Sequence, residues 1–130
     1  MKFRTPRRDI EFEIPDEWLS FCAPDQSVSE QISFYPYSPA AQNVQVVELC
    51  EVEPPQRDPH VTSFKKYKLV PVLFAFQSPE CELPPVDVVA IQGATYAYRV
   101  TNGYHRYYGS VSVGYKHLPV IVHSGANNAL

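Results

Sequence analysis

Residues 96–122, with the sequence YAYRVTNGYHRYYGSVSVGYKHLPVIV, decide the fold predicted for this chain. The stretch predicts a strand, a turn at Gly103, a short helix and a second strand. A helix that begins at Tyr104 directs its first backbone N–H groups toward the turn, beside the basic side chains of His105 and Arg106. The sequence therefore predicts an anion site at this helix start.

The predicted helix has one buried side and a defined end. Three tyrosines and a valine follow the i, i+3, i+4, i+7 spacing of an apolar stripe: Tyr104, Tyr107, Tyr108 and Val111. His105, Arg106 and Ser110 fall outside that stripe. Gly114 predicts a left-handed cap, and Lys116 and His117 lie near the negative end of the helix dipole.

Length and composition predict one compact domain with an attached arm. Of 130 residues, 45% are hydrophobic and 19% are charged, which is typical of a globular protein. No apolar run approaches the roughly 18 residues that cross a bilayer, and the N-terminus lacks the apolar core of a secretory signal. A net charge of −3 argues against a general nucleic-acid binder, although Lys2, Arg4, Arg7 and Arg8 form a local basic arm.

The cysteines favour a reducing compartment. Cys22, Cys50 and Cys81 are odd in number, widely spaced and without a Cys-x-x-Cys pair, so the sequence predicts neither a disulfide framework nor a zinc site. We therefore expect a cytoplasmic protein without a membrane segment.

The first 42 residues predict an extension to the main domain. Residues 9–14 alternate acidic and apolar side chains, as a half-buried strand does, and Asp16 is placed to begin a short helical turn. Residues 23–42 are rich in proline and polar side chains and predict an ordered loop.

The middle of the chain predicts alternating strands and one helix. Residues 44–52 are rich in β-branched side chains and predict a strand. Residues 64–77 have helical periodicity, and Pro71 is expected to kink or divide that helix. Residues 83–91 predict a strand that continues through a hairpin turn at residues 92–95.

This order of elements resembles the ParB/sulfiredoxin-like superfamily, and in particular the ParB N-terminal-like domain. The motifs that carry the resemblance are EVEPP at 51–55, PPVDVV at 84–89 and NGYHRYYGSVSVGYKHLPVIV at 102–122. The resemblance implies an α+β fold, with a small mixed sheet and two or three helices over residues 43–123. An N-terminal extension of residues 1–42 would precede this domain and a polar tail of residues 124–130 would follow it, as in a divergent stand-alone member.

The resemblance also implies a ligand and the residues that bind it. In nucleotide-binding members of the superfamily, the corresponding helix start holds the phosphates of ATP or CTP. The residues implied to bind a nucleotide or phosphate are Gly103, Tyr104, His105, Arg106 and Lys68. The glycine would let the backbone approach a phosphate, and the basic side chains would supply charge-assisted contacts. ATP or CTP with Mg²⁺ is the implied cofactor, and otherwise none is expected.

The chemistry of the related families is not expected here. Tyr104 stands where sulfiredoxins have a cysteine, and a phenol with a pKa of about 10 is a poor substitute for a thiolate, so sulfinic acid reduction is not predicted. The helix-turn-helix region that follows this domain in chromosome-partitioning ParB proteins has no counterpart in the seven residues after the last predicted strand. Asp87 and Glu53 are isolated carboxylates, interpreted as turn or edge residues, so no protein-bound metal is predicted.

Three functions are compatible with these patterns. The leading hypothesis is a domain that binds a nucleotide or another phosphorylated small molecule. The alternative is a catalytically inactive protein-interaction or dimerisation module that uses the aromatic residues of the extension, Trp18, Phe21, Phe34, Tyr35 and Tyr37. The third is nucleic-acid binding or nuclease activity that uses Lys2 to Arg8 together with Lys65, Lys66 and Lys68. Catalytic residues, and whether any reaction is catalysed, stay open.

Overall fold

The computed structural model has an α+β architecture, as predicted, and describes residues 1–8, 10–19, 34–56, 64–76, 83–92 and 95–123. In chain order its elements are β1 (Lys2–Arg4), β2 (Glu11–Glu13), α1 (Asp16–Leu19), β3 (Val44–Glu48), β4 (Val52–Glu53), α2 (Lys66–Ala75), β5 (Val86–Ala90), β6 (Tyr98–Asn102), α3 (Tyr104–Val113) and β7 (His117–His123). β1 and β2 form a small antiparallel sheet, and the other five strands form a mixed sheet in the order β3-β7-β5-β6-β4. None of the helices in the described ranges has the length and apolar character needed to cross a membrane.

The five-stranded sheet is strongly curled. β3 and β4 lie at opposite edges of the sheet, yet only a 3₁₀ turn, Leu49–Glu51, separates them in the sequence. Both strands can be edges only because the sheet bends until its two edges approach each other. The prediction of one strand over residues 44–52 is therefore wrong at Leu49, which is buried and whose amide donates to the carbonyl of Lys116 at 2.8 Å.

The centre of the sheet supplies much of the core. β5 pairs parallel with β7 and antiparallel with β6. Buried side chains alternate along β5, at Val86 and Val88, and β7 contributes the fully buried Leu118 and Val120. This alternation is the pattern of strands that are covered on one face, and it places the start of α3 against the buried side of β5.

Pro71 lies within α2 without dividing it. The helix is continuous from Lys66 to Ala75, so the expected division is wrong. A proline has no N–H and removes the hydrogen bond to the carbonyl four residues earlier, here that of Tyr67. Because Pro71 is exposed and Tyr67 is 69% exposed, water can satisfy that carbonyl.

Helix α3 has the predicted boundaries. Gly103 precedes it with φ of 128°, and Gly114 ends it in the left-handed conformation, with φ of 88°. The amides of Gly114 and Tyr115 donate to the carbonyls of Val111 and Ser110, each at 3.1 Å. The cap predicted at Gly114 is thus confirmed.

The N-terminal extension packs into the same core as the sheet. Phe12, Ile14 and Tyr35 are buried within that core, and the ring centroid of Phe12 lies 4.8 Å from that of Tyr108. β1 pairs with β2 and holds the basic residues of the N-terminus in a hairpin. The extension therefore contributes core side chains. Phe21, Cys22 and Cys81 lie outside the described residues.

Candidate functional site

The start of α3 is fixed against β5 by Gly103. A Cβ atom at this position would lie 2.8 Å from Cγ1 and 3.0 Å from Cγ2 of Val86. The φ of 128° is also one that L-residues with a side chain rarely adopt. Contact with Val86 and this backbone angle therefore both require glycine, and together they set the position of the helix start.

Arg106 is anchored at the same place by one of its nitrogen atoms. Its Nη1 atom donates to the carbonyls of Pro84, at 2.9 Å, and Pro85, at 3.1 Å. Nε and Nη2 have no hydrogen-bond partner within the part of the chain that the structure describes. The guanidinium group is thus held in place, and its Nε–Nη2 edge, which suits two oxygen atoms of a phosphate, forms no hydrogen bond to the described residues.

Tyr35, from the extension, completes this anchor. Its hydroxyl donates to the carbonyl of Pro84 at 2.6 Å, the same carbonyl that Arg106 contacts. Burial raises the pKa of Tyr35 far above its ordinary value, the positive charge of Arg106 lowers it and the negative charge of Asp87 raises it. Tyr35 therefore stays a neutral hydrogen-bond donor well above physiological pH.

The shifted pKa of Tyr35 predicts a loss of stability at alkaline pH. The unfolded chain releases the phenol proton near pH 10.0, whereas the folded chain retains it, so the free energy of unfolding is unaffected by this group below that pH and falls above it. We expect Tyr35→Phe to remove this part of the pH dependence and to cost about 1 kcal/mol at neutral pH through the lost hydrogen bond. Denaturant unfolding of both proteins at pH values on either side of 10.0 measures the effect. If the free energy of unfolding falls equally steeply with pH in the two proteins above that value, the raised pKa of Tyr35 is contradicted.

A second polar cluster adjoins the helix start. Oδ1 of Asp87 lies 2.8 Å from Nε2 of His123, and Oδ2 of Asp87 accepts a hydrogen bond from Nδ2 of Asn102 at 3.3 Å. Asn102 directly precedes Gly103. The interpretation of Asp87 as a turn or edge residue is wrong, because β5 is the middle strand of the five. The pairing of β5 with β7 brings His123 to Asp87, and no local sequence pattern predicts a contact between strands so far apart in the chain.

The other predicted site residues are distributed differently. His105 and Tyr104 are only 9% and 8% exposed, and their ring centroids lie 5.8 and 5.7 Å from that of Phe64. His105 therefore joins the aromatic core although it falls outside the predicted stripe, because Phe64 covers that side of the helix. Lys68 is exposed on α2, with Nζ 5.9 Å from the ring centroid of Tyr67. The structure thus groups Gly103 with Arg106 and places Tyr104 and His105 in the core.

The cluster around Asp87 does not form a prepared Mg²⁺ site. Magnesium at phosphate sites is held by one or two carboxylates together with the phosphates. Asp87 contributes a single carboxylate, and both of its oxygen atoms are engaged by His123 and Asn102. We therefore derive no step through a metal ion at this position.

One group of potential metal ligands lies elsewhere in the described ranges. Glu48, Cys50 and Glu51 offer ligand atoms that lie within 4.8 Å of one another. Glu51 also forms an ion pair with Nη2 of Arg7, at 3.7 Å, and the backbone carbonyl of Cys50 accepts a 2.7 Å bond from Nε of the same arginine. Arg7 thus uses this cluster to connect the N-terminal hairpin to the five-stranded sheet, which explains why these side chains lie together.

Comparison with known proteins adds no relative to these observations. No protein-family model matches the chain, and no curated protein matches it either. The functional conclusions therefore depend on the residues and geometry of the site.

Proposed function

We propose that this chain is a divergent ParB/sulfiredoxin-like domain that binds a nucleotide or another phosphorylated small molecule at the start of α3. The observation that supports the proposal most strongly is the guanidinium group of Arg106, anchored through Nη1 with Nε and Nη2 available. An ordinary surface arginine is mobile and loses side-chain entropy when it binds a ligand. Anchoring removes part of that cost in advance, which favours a binding role.

In this proposal the helix start and the arginine act on the same phosphate group. An α-helix leaves its first N–H groups outside its own hydrogen-bond ladder, and their partial positive charge favours an anion there by about 0.3–1 kcal/mol. A charge-assisted hydrogen bond from Arg106 adds roughly 1.5–3 kcal/mol. The two contributions together are consistent with weak to moderate affinity for a phosphate group.

The proposed activity is binding without covalent chemistry. Tyr104 is 8% exposed and packs against Phe64, so it is not placed as a nucleophile. His105 would hold the helix start against the aromatic core, and Lys68 would add positive charge from the neighbouring helix. ATP and CTP are the ligands that the resemblance implies.

The buried aromatic residues of the extension do not favour the alternative of a docking arm. Tyr35 is fully buried, and its ring is stacked on Phe76 with a centroid distance of 5.6 Å. Trp18 is half-buried and packs against the core. The described rings of the extension therefore serve mainly for packing, which leaves the phosphate ligand as the better supported function.

Thermal unfolding with ATP, CTP, GTP and pyrophosphate tests the proposal. At least one of them should raise the melting temperature of the wild type, because a ligand that binds only the folded state stabilises it. Arg106→Gln should weaken the binding of that ligand by roughly tenfold or more, because it removes the positively charged guanidinium group. Arg99→Gln, which removes an exposed arginine paired with Glu53 on the edge strand, is the matched control and should bind as the wild type does. The proposal fails if no ligand at millimolar concentration raises the melting temperature of the wild type. It also fails if the ligand raises the melting temperatures of both variants as much as that of the wild type.

A further inference from the structure

A cleft with a volume of about 930 Å³ lies at the opposite end of α3 from Arg106. The N-terminal hairpin forms one side, and the end of α3 together with the start of β7 forms the other. The charged and titratable side chains that line it are Lys2, Arg4, Arg8, Glu48, Lys116 and His117. The permanent charges of this cleft are therefore four cations and one carboxylate.

Two of the four positive charges of this cleft remain once Arg4 is paired with Glu11 and Glu48 is counted. Arg4 forms an ion pair with Glu11 at 3.4 Å, but Lys2, Arg8 and Lys116 have no ion-pair partner within the described ranges. The whole chain carries a net charge of −3, so positive charge is concentrated in this cleft against the overall balance. Like charges gathered in this way repel one another, and an anion between them would relieve that repulsion.

One residue that lines the cleft, His117, also carries a buried nitrogen atom. Nδ1 of His117 is buried and has no hydrogen-bond partner among the residues that the structure describes. A buried polar atom without a partner costs free energy. The orphaned nitrogen is independent of the charge argument, and it lies on the residue that follows Lys116.

The backbone at Arg8 gives a further observation. Arg8 has a positive φ of 61°, which is uncommon for a residue other than glycine. The turn is held by a 2.7 Å bond from the amide of Arg8 to the carbonyl of Thr5. An uncommon backbone angle is thus maintained at a position where it places a cation in the cleft.

The end of α3 does not oppose an anion strongly. The partial negative charge of a helix C-terminus resides on carbonyls that lack partners. Here the carbonyls of Ser110 and Val111 accept the amides of Tyr115 and Gly114. The remaining half-charge of the helix dipole is small beside the net positive charge of the described side chains that line the cleft.

We propose that this cleft binds a small polyanion that carries two or more phosphate groups, with Arg8 and Lys116 as its main charged contacts. A single-stranded nucleic acid is disfavoured, because the aromatic residues of the cleft offer no open stacking surface: Tyr115 is 8% exposed and Phe3 is stacked on Phe12. The basic arm predicted from the sequence thus acts with Lys116 rather than with the lysines of α2.

Calorimetric titration of the full chain with tripolyphosphate at low salt tests this assignment. The test variant is Arg8→Gly with Lys116→Gln, in which glycine accepts the positive φ and both altered side chains are exposed. The control variant is Lys65→Gln with Lys66→Gln, which removes the same charge from residues outside the cleft. We expect the test variant to bind roughly tenfold or more weakly than the wild type and the control to change less than about twofold. Thermal unfolding without ligand checks that both variants fold.

Several outcomes would overturn the cleft as a polyphosphate site. These are no binding to the wild type, equal loss in the two double variants, stronger binding of citrate than of tripolyphosphate, and complete loss in Arg106→Gln. Binding of a single-stranded oligonucleotide that the test variant alone abolishes would replace the small polyanion by nucleic acid. If Arg106→Gln retains one bound tripolyphosphate per chain while losing nucleotide binding, both proposals stand. If Arg106→Gln binds both tripolyphosphate and nucleotide as the wild type does, only the proposal for the start of α3 fails.

Discussion

Replacing Gly103 with alanine should destabilise the protein by about 3 kcal/mol or more, through two effects that add. The new methyl group would lie 2.8 Å from Cγ1 of Val86, a distance that requires β5 or α3 to move. The φ of 128° would be strained for any residue with a side chain. Urea unfolding of the wild type and the variant measures the difference in the free energy of unfolding.

Two further variants separate the contact from the strain. Gly114→Ala should cost about 1 kcal/mol only, because Gly114 also has a positive φ but nothing lies within 4 Å of its added Cβ atom. In a Val86→Ala background, Gly103→Ala should lose most of its steric cost, since the methyl groups that it meets are gone. If Gly103→Ala costs no more than Gly114→Ala, the close approach of α3 to β5 is wrong.

Phe12→Ala should destabilise the protein by about 3–5 kcal/mol, the range for removing a buried aromatic ring. Phe12 is 4% exposed, and its ring contacts those of Phe3, Phe64 and Tyr108 with centroid distances of 5.5, 5.9 and 4.8 Å. The loss would open a cavity between the hairpin and α3. The same urea experiment measures it.

Phe74→Ala is the matched control for Phe12. It removes the same ring from a position that is 52% exposed on α2, and it should change the free energy of unfolding by less than about 0.5 kcal/mol. A cost for Phe12→Ala as small as that of Phe74→Ala would mean that the extension does not share the core. A chain that begins at residue 43 would then be expected to fold cooperatively, whereas the packing of Phe12, Ile14 and Tyr35 predicts that it does not.

Local sequence signals predicted α3 and its boundaries well. Gly103 and Gly114 mark the ends of the helix, and Tyr104, Tyr107 and Tyr108 face the core as their spacing predicts. These features depend on backbone angles and on helical period, both of which are encoded within a few residues. The α+β class, which the resemblance implied, is also the class of the observed fold.

Contacts between distant segments could not be predicted in this way. The turn at Leu49 exists because the curled sheet must bring β3 and β4 to opposite edges, and Phe64 buries His105 from a segment 41 residues earlier in the chain. The pair of Asp87 and His123 likewise depends on the parallel register of β5 and β7. Among these long-range contacts, the sequence indicated one partner of Arg106 only, because Pro84 and Pro85, whose carbonyls hold it, are the two prolines of the PPVDVV motif.

Nuclear magnetic resonance of the backbone amides tests the proposed ligand site most directly. On titration with CTP, ATP or pyrophosphate, the amide signals of Gly103, Tyr104, His105 and Arg106 should shift together and saturate, because the phosphate would lie at the start of α3. In Arg106→Gln the same shifts should require a ligand concentration that is roughly tenfold or more higher. Saturating ligand without any shift at residues 103–106 of the wild type would contradict the account, even if signals elsewhere in the chain move.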